Sequence, residues 1–141
     1  YEPGRGSKMI RDLSQISVMM VEDDETTRNV IKNSLLKNKI NVVFDTAFVK
    51  DALNFAKQNR PEVAVLDYNL GPGPNGIDLA NQLRKFQPQI GIVLLTAFLD
   101  PTQLKKRISE LPKGSTYLIK HDVVDIQVLI DAIMQACNNA I

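Results

Sequence analysis

The chain has 141 residues, 44% of them hydrophobic, with 17 Lys and Arg against 16 Asp and Glu, which suits one domain with its own core. A net charge of +1 supplies no basic excess for nucleic acid, and no apolar stretch reaches the roughly 20 residues that span a bilayer. No secretory signal is visible, and Cys137 is the only cysteine, placed in an apolar helical pattern that suits a small core side chain in a reducing, cytoplasmic setting.

Residues 1–14 carry Pro3, Gly4 and Gly6 without apolar periodicity and read as a disordered leader or linker; residues 15–141 read as the domain. The first strand, Ile16 to Val21, runs into three acids, Glu22, Asp23 and Asp24. Thr26 and Thr27 offer caps for a helix to about Asn38, with Val30, Ile31, Ser34 and Leu35 as its inner stripe. A short β-branched strand, Asn41 to Phe44, leads to a helix from Val49 to Asn59, which Arg60-Pro61 ends. The run Val63-Ala64-Val65-Leu66-Asp67 reads as a strand buried on both faces. A loop, Gly71 to Gly76, opens a helix to Phe86 that Pro88 closes. Ile90 to Leu95 is the most apolar strand and delivers Thr96 and Ala97. Asp100 and Pro101 cap and open a helix with Leu104, Ile108 and Leu111. The last strand, Thr116 to Ile119, hands over to Lys120 and His121, and Asp122 caps a final helix whose inner stripe is Leu129, Ile130, Ile133, Met134 and Cys137.

Five strands alternating with five helices predict an α/β fold, a parallel sheet covered on both faces with right-handed crossovers. In a doubly wound sheet of order 2-1-3-4-5 the strand ends converge at the switch point. Asp23, Asp24, Asp67, Thr96 and Lys120 would meet there. Gathered carboxylates repel unless a cation sits among them, and hard oxygen ligands suit Mg²⁺. An ammonium and a hydroxyl can hold phosphoryl oxygens, and a carboxylate can itself become an acyl phosphate. Each residue alone has an ordinary reading: acids solvate loops, a lysine after a strand is exposed, and Thr96 packs. Together they point to a Mg²⁺-assisted aspartyl-phosphate site.

The motifs Val21-Glu22-Asp23-Asp24, Leu66-Asp67, Leu95-Thr96-Ala97 and Tyr117-Leu118-Ile119-Lys120 resemble those of receiver domains of two-component response regulators, over about Ser17 to Asn139. The resemblance implies a flavodoxin-like (βα)5 fold and a phosphorelay signalling role rather than an enzyme acting on a separate substrate. It implies that Asp67 accepts a phosphoryl group from a phosphohistidine of a sensor histidine kinase or histidine phosphotransfer protein. Mg²⁺ would be held by Asp23, Asp24, Asp67 and the backbone carbonyl of Asn69. Thr96, Ala97 and Lys120 would contact phosphate, with Thr96 and Tyr117 moving as the switch. The helix after Thr96, the last strand and the last helix would form the surface for an output domain or a self-dimer, with no direct contact to nucleic acid or membrane.

This chain departs from the family pattern at three places. His121 replaces the usual proline after the lysine, where a cis bond would cost about 3 kcal/mol. The Gly71-Pro72-Gly73-Pro74-Asn75-Gly76 loop is one residue longer and richer in turn formers. Phe98, like Asn69, stands where the family tunes dephosphorylation; its bulk should hinder attacking water, so a Phe98→Glu variant should lose its phosphoryl group faster. Two other readings stay open: a receiver-fold interaction module without phosphorylation, and a Mg²⁺-dependent phosphatase with an aspartate nucleophile, for which Asn69 lacks the second carboxylate.

Overall fold

Apolar runs and amphipathic stretches form one parallel sheet between helices. The computed structural model describes residues 13–97, 100–120 and 125–139. A 3-10 turn, Leu13–Gln15, precedes β1 (Ser17–Val21), α1 (Glu25–Lys37), β2 (Asn41–Thr46), α2 (Val49–Asn59), β3 (Val63–Asp67), α3 (Gly76–Phe86), β4 (Gly91–Thr96), α4 (Pro101–Ile108), β5 (Thr116–Ile119) and α5 (Ile126–Asn139). The order is β2-β1-β3-β4-β5, all pairs parallel, as the alternation predicts. Of the expected leader only Leu13 and Ser14 are described; they begin the 3-10 turn.

Burial follows position in the sheet. β3 and β4 are buried along their whole length, so their sequences are apolar runs without alternation. β2 and β5 lie at the edges and keep exposed residues. Val18, Met20, Val65 and Leu95 pack with Ile31 and Leu35 of α1 and with Leu129 and Ile133 of α5. On the other face Met19, Val21, Leu66 and Leu94 meet Ala52 and Ala56 of α2 and Leu79 and Leu83 of α3. The β1–β2 register breaks once: Val18 pairs with Val42 but Met19 with Phe44, leaving Val43 as a bulge. Val42 therefore faces the α1–α5 core while Phe44 faces the α2–α3 core, its ring stacked 4.4 Å from that of Phe55.

Several helix ends differ from expectation. Asp24, not a threonine, caps α1; its carboxylate accepts the Thr27 N–H at 2.8 Å and the Thr27 hydroxyl. Val30 is 61% exposed, because the face of α1 turned to the sheet is centred on Ile31 and Leu35. β2 continues to Thr46. α4 ends at Ile108, before Leu111, and none of its residues is buried. Asn81 and Arg84 of α3 grip the segment after it, donating to the Glu110 and Lys113 carbonyls at 3.1 and 2.6 Å. Asp125 accepts the Gln127 and Val128 N–H groups at the start of α5; the expected cap, Asp122, lies outside the described residues. Among the described residues, no helix is long and apolar enough to cross a membrane.

Candidate functional site

The strand-end groups surround a pocket of about 420 Å³ at the carboxyl edge of the sheet. β1 and β3 are neighbours, with Val21 opposite Leu66. The next residue on each, Glu22 and Asp67, therefore stand level, and both are buried, at 1% and 6% exposure. Asp23 follows on the exposed side. Carboxylate oxygens of Glu22, Asp23 and Asp67 lie within 4.8 Å of one another. Lys120, just past β5, reaches across the sheet edge to this group. Its Nζ is 2.5 Å from Glu22 Oε1 and 3.4 Å from Asp67 Oδ1. Its own N–H donates to the Thr96 carbonyl at 2.6 Å, extending the β4–β5 ladder by one bond.

Electrostatics follow from this crowding. Burial first, then the Glu22 carboxylate, push Asp67 up to about 7, while Lys120 pulls the other way. Asp23 is raised by burial and by Glu22. Burial by itself would lower Lys120, but Glu22 and Asp67 outweigh it and hold the ammonium above its ordinary value. Three carboxylates share one ammonium, so negative charge is in excess. Oxygen donors this close fit a hard divalent cation.

Asp24 is placed apart from the other predicted acids. Its carboxylate is committed to the start of α1, and hydrogen bonds from Thr27 hold its pKa below the usual value. It borders the pocket but stands outside the group of three. The structure brings together Glu22, Asp23 and Asp67; Glu22 is the residue the sequence reading missed. The signal was present, since Val18 to Val21 and Val63 to Leu66 are both four apolar residues ending on an acid.

The other predicted residues divide between the pocket and the surface beside it. Asn69, Thr96 and Ala97 line the pocket, and Thr96 is almost fully buried. Asn69 Oδ1 accepts the Gly71 N–H at 3.2 Å. Tyr117 is 41% exposed and faces a separate groove shared with Leu104, Lys105 and Ile108 of α4. Phe98, His121 and the bond between Lys120 and His121 lie outside the described residues. In the loop after Asp67, Gly71 and Gly73 take positive φ angles of 88° and 101°, which glycine adopts without strain. Asn75 and Asp78 close a capping box on α3. At Gly76 a Cβ would collide with the Asp67 carbonyl oxygen, so the helix start can seat directly beneath the site.

Known proteins share this fold. The pattern of the response regulator receiver domain matches residues 18–134. The transcriptional regulatory protein DesR of Bacillus subtilis (strain 168) is 29% identical over 106 residues, 74% of this chain and 51% of that protein. The chain spans only 34% to 51% of the length of the curated relatives it first matches. Among solved structures, the Francisella response regulator 1452 receiver domain is 25% identical, with a TM-score of 0.71 over 88% of this chain and 98% of that one. A CheY-like receiver domain protein from Methanospirillum hungatei JF-1, 17% identical, has the same fold, with a TM-score of 0.71 over 87% and 94% of the two chains. This chain belongs to the response regulator receiver domain family, the signalling domains of two-component systems.

Proposed function

We propose that this receiver domain is a phosphoacceptor whose reacting atom is a carboxylate oxygen of Asp67. The observation that carries the reading is Asp67 itself: a buried carboxylate at an open pocket, grouped with the carboxylates of Glu22 and Asp23 and within reach of the Lys120 ammonium. The donor would be a phosphohistidine of a sensor histidine kinase or a histidine phosphotransfer protein. An Asp67 oxygen forms the new P–O bond, the P–N bond to the imidazole breaks, and the ring nitrogen leaves with the electron pair. Glu22, Asp23 and Asp67, with the Asn69 carbonyl, are the groups that would hold Mg²⁺. Bound there, the cation would offset the carboxylate charge and favour phosphoryl oxygens at the site.

The chain's own residues supply the rest. Lys120 already lies between Glu22 and Asp67, so its ammonium can turn to a phosphoryl oxygen as a point charge. Thr96 and Ala97, at the end of β4, line the same pocket, and Tyr117 on β5 would respond to movement of Thr96. Phosphorylation then acts by shifting a conformational population, read by an output domain or a second copy on the α4-β5-α5 surface.

The test is intact mass after incubation with acetyl phosphate and Mg²⁺. A single phosphoryl adduct that disappears in Asp67→Asn and in excess chelator is the expected result. An adduct that persists in Asp67→Asn overturns the assignment. No adduct from acetyl phosphate or from a panel of phosphohistidine proteins favours an interaction module, and steady release of phosphate from many substrate molecules favours a phosphatase.

A further inference from the structure

The acidic pair is carried on one peptide, and both main-chain groups of Glu22 are engaged. Its N–H donates to the Thr46 carbonyl at 3.0 Å, and its carbonyl accepts from Arg28 Nη1 at 2.8 Å. Arg28 comes from the first turns of α1, and its Nε donates to Asp45 Oδ2 at 3.2 Å. Lys32, one turn on, holds the other oxygen of the Asp45 carboxylate at 3.4 Å. These side chains are largely withdrawn from water, with Arg28 16%, Asp45 24% and Lys32 29% exposed. The bulge at Val43 makes the arrangement possible. In an unbroken β2, Val42 and Phe44 would share a face, and Asp45 would point to α2. The extra residue turns Asp45 toward α1, where Arg28 and Lys32 are.

We propose that Arg28, oriented by Asp45, is a positioning residue for the divalent-cation site. Its planar fork links Asp45 to the Glu22 carbonyl and so fixes the peptide plane from which both the Glu22 and Asp23 side chains project. This rests on the reading of Glu22, Asp23 and Asp67 as a Mg²⁺ site. Arg28 acts through the main chain, and Asp45 acts through Arg28. The direction of the effect separates positioning from charge. Removing a cation near a Mg²⁺ site would by charge alone tighten binding, whereas loss of positioning weakens it.

Calorimetric titration of Mg²⁺ into the wild type, Arg28→Met, Asp45→Asn, Lys32→Met and the Arg28→Met/Asp45→Asn double variant tests the proposal. Arg28→Met should bind about tenfold more weakly, the range seen when partners of metal ligands are lost. Asp45→Asn should be several-fold weaker, Lys32→Met within about twofold of wild type, and the double variant no weaker than Arg28→Met alone. The Asp23 amide resonance should shift in Arg28→Met before any metal is added, and stay in place in Lys32→Met. Arg28→Met binding as tightly as wild type, or more tightly, overturns the proposal, as does equal weakening in Lys32→Met. If Arg28→Met does not fold, Arg28→Lys replaces it, since lysine keeps the charge but cannot span both partners; wild-type affinity there is the overturning result. A wild type that binds no Mg²⁺ refutes the cation site and this proposal with it, while tight binding by wild type and Arg28→Met alike refutes only the positioning role.

Discussion

Replacing Asp67 by asparagine should make the metal-free domain more stable near neutral pH, although the proposed chemistry depends on that carboxylate. Its folded value of about 7 lies above the ordinary 3.8. A folded state that holds a proton more tightly than the unfolded chain is favoured in acid. The stabilisation is full below about pH 4 and is lost as the pH rises through about 7. The largest free energy this allows is about 4 kcal/mol, at about 1.4 kcal/mol for each tenfold change in proton affinity. The pocket opens to water, and the variant also loses the pair with Lys120, so about 1–2 kcal/mol is the expected gain. That raises the melting temperature by roughly 3–6 °C. Urea unfolding in chelator at about pH 4 and about pH 8 measures it; the two proteins should lie within ~0.5 kcal/mol at the lower pH, separate between about pH 4 and about pH 7, and keep a constant difference above that. Mg²⁺ at about 10 mM should then stabilise wild type by about 2 kcal/mol for a Kd near ~0.5 mM, and the variant far less. A variant no more stable than wild type at the higher pH, without metal, would refute the account of buried, crowded charge.

Four other substitutions examine single parts of the site. Asp24→Ala removes a cap, so it should lower the melting temperature by roughly 2–4 °C yet leave Mg²⁺ affinity within about threefold, whereas Glu22→Gln should weaken it about tenfold or more; the reverse pattern by calorimetry would restore Asp24 to the metal set. Gly76→Ala forces the start of α3 away from the Asp67 carbonyl and should cost about 1–3 kcal/mol in urea unfolding, with slower phosphorylation by acetyl phosphate. Lys120→Met leaves Glu22 and Asp67 facing each other without a cation, so its loss of stability should be larger near pH 8 than near pH 5; a pH-independent loss would show that the lysine stem, not its charge, is what matters.

Much of this was legible in the sequence because buried parallel strands and helix punctuation leave strong local marks. The apolar runs Val63 to Asp67 and Ile90 to Leu95 mark buried strands, the second shifted by one residue to Gly91–Thr96, and Pro61, Pro88 and Asp100-Pro101 fix helix ends through sterics that tertiary structure does not override. The acidic run is where sequence and geometry differ: the sequence reading pairs Asp23 with Asp24, and the structure groups Glu22 and Asp23 with Asp67. Three acids in a row offer two adjacent pairs, and the choice depends on strand register, a non-local quantity: Val21 opposite Leu66 makes Glu22, not Asp24, the neighbour of Asp67. Asp24 was then free for a local task that Asp performs well, capping a helix. Val30 was misplaced for a similar reason, since adjacent apolar residues at one edge of a helical stripe do not reveal how far the sheet covers it. The bulge at Val43 left no mark, because the strand sequence Asn41 to Thr46 is equally consistent with unbroken pairing.

The eight residues of α4 bury no side chain in either core, and the helix is followed by a segment tethered to α3 through Asn81 and Arg84. A covalent event at a remote carboxylate has only about 1–3 kcal/mol of coupling free energy to distribute. Pulling α1 or α5 off the sheet would expose several fully buried side chains at about 1.5–3 kcal/mol each, which is beyond that supply. Displacing α4 would uncover less, since none of its residues is fully buried and Leu104, Arg107 and Ile108 are only partly covered. On the proposed reading, α4 is therefore a helix that a weak signal could move at lower cost than α1 or α5.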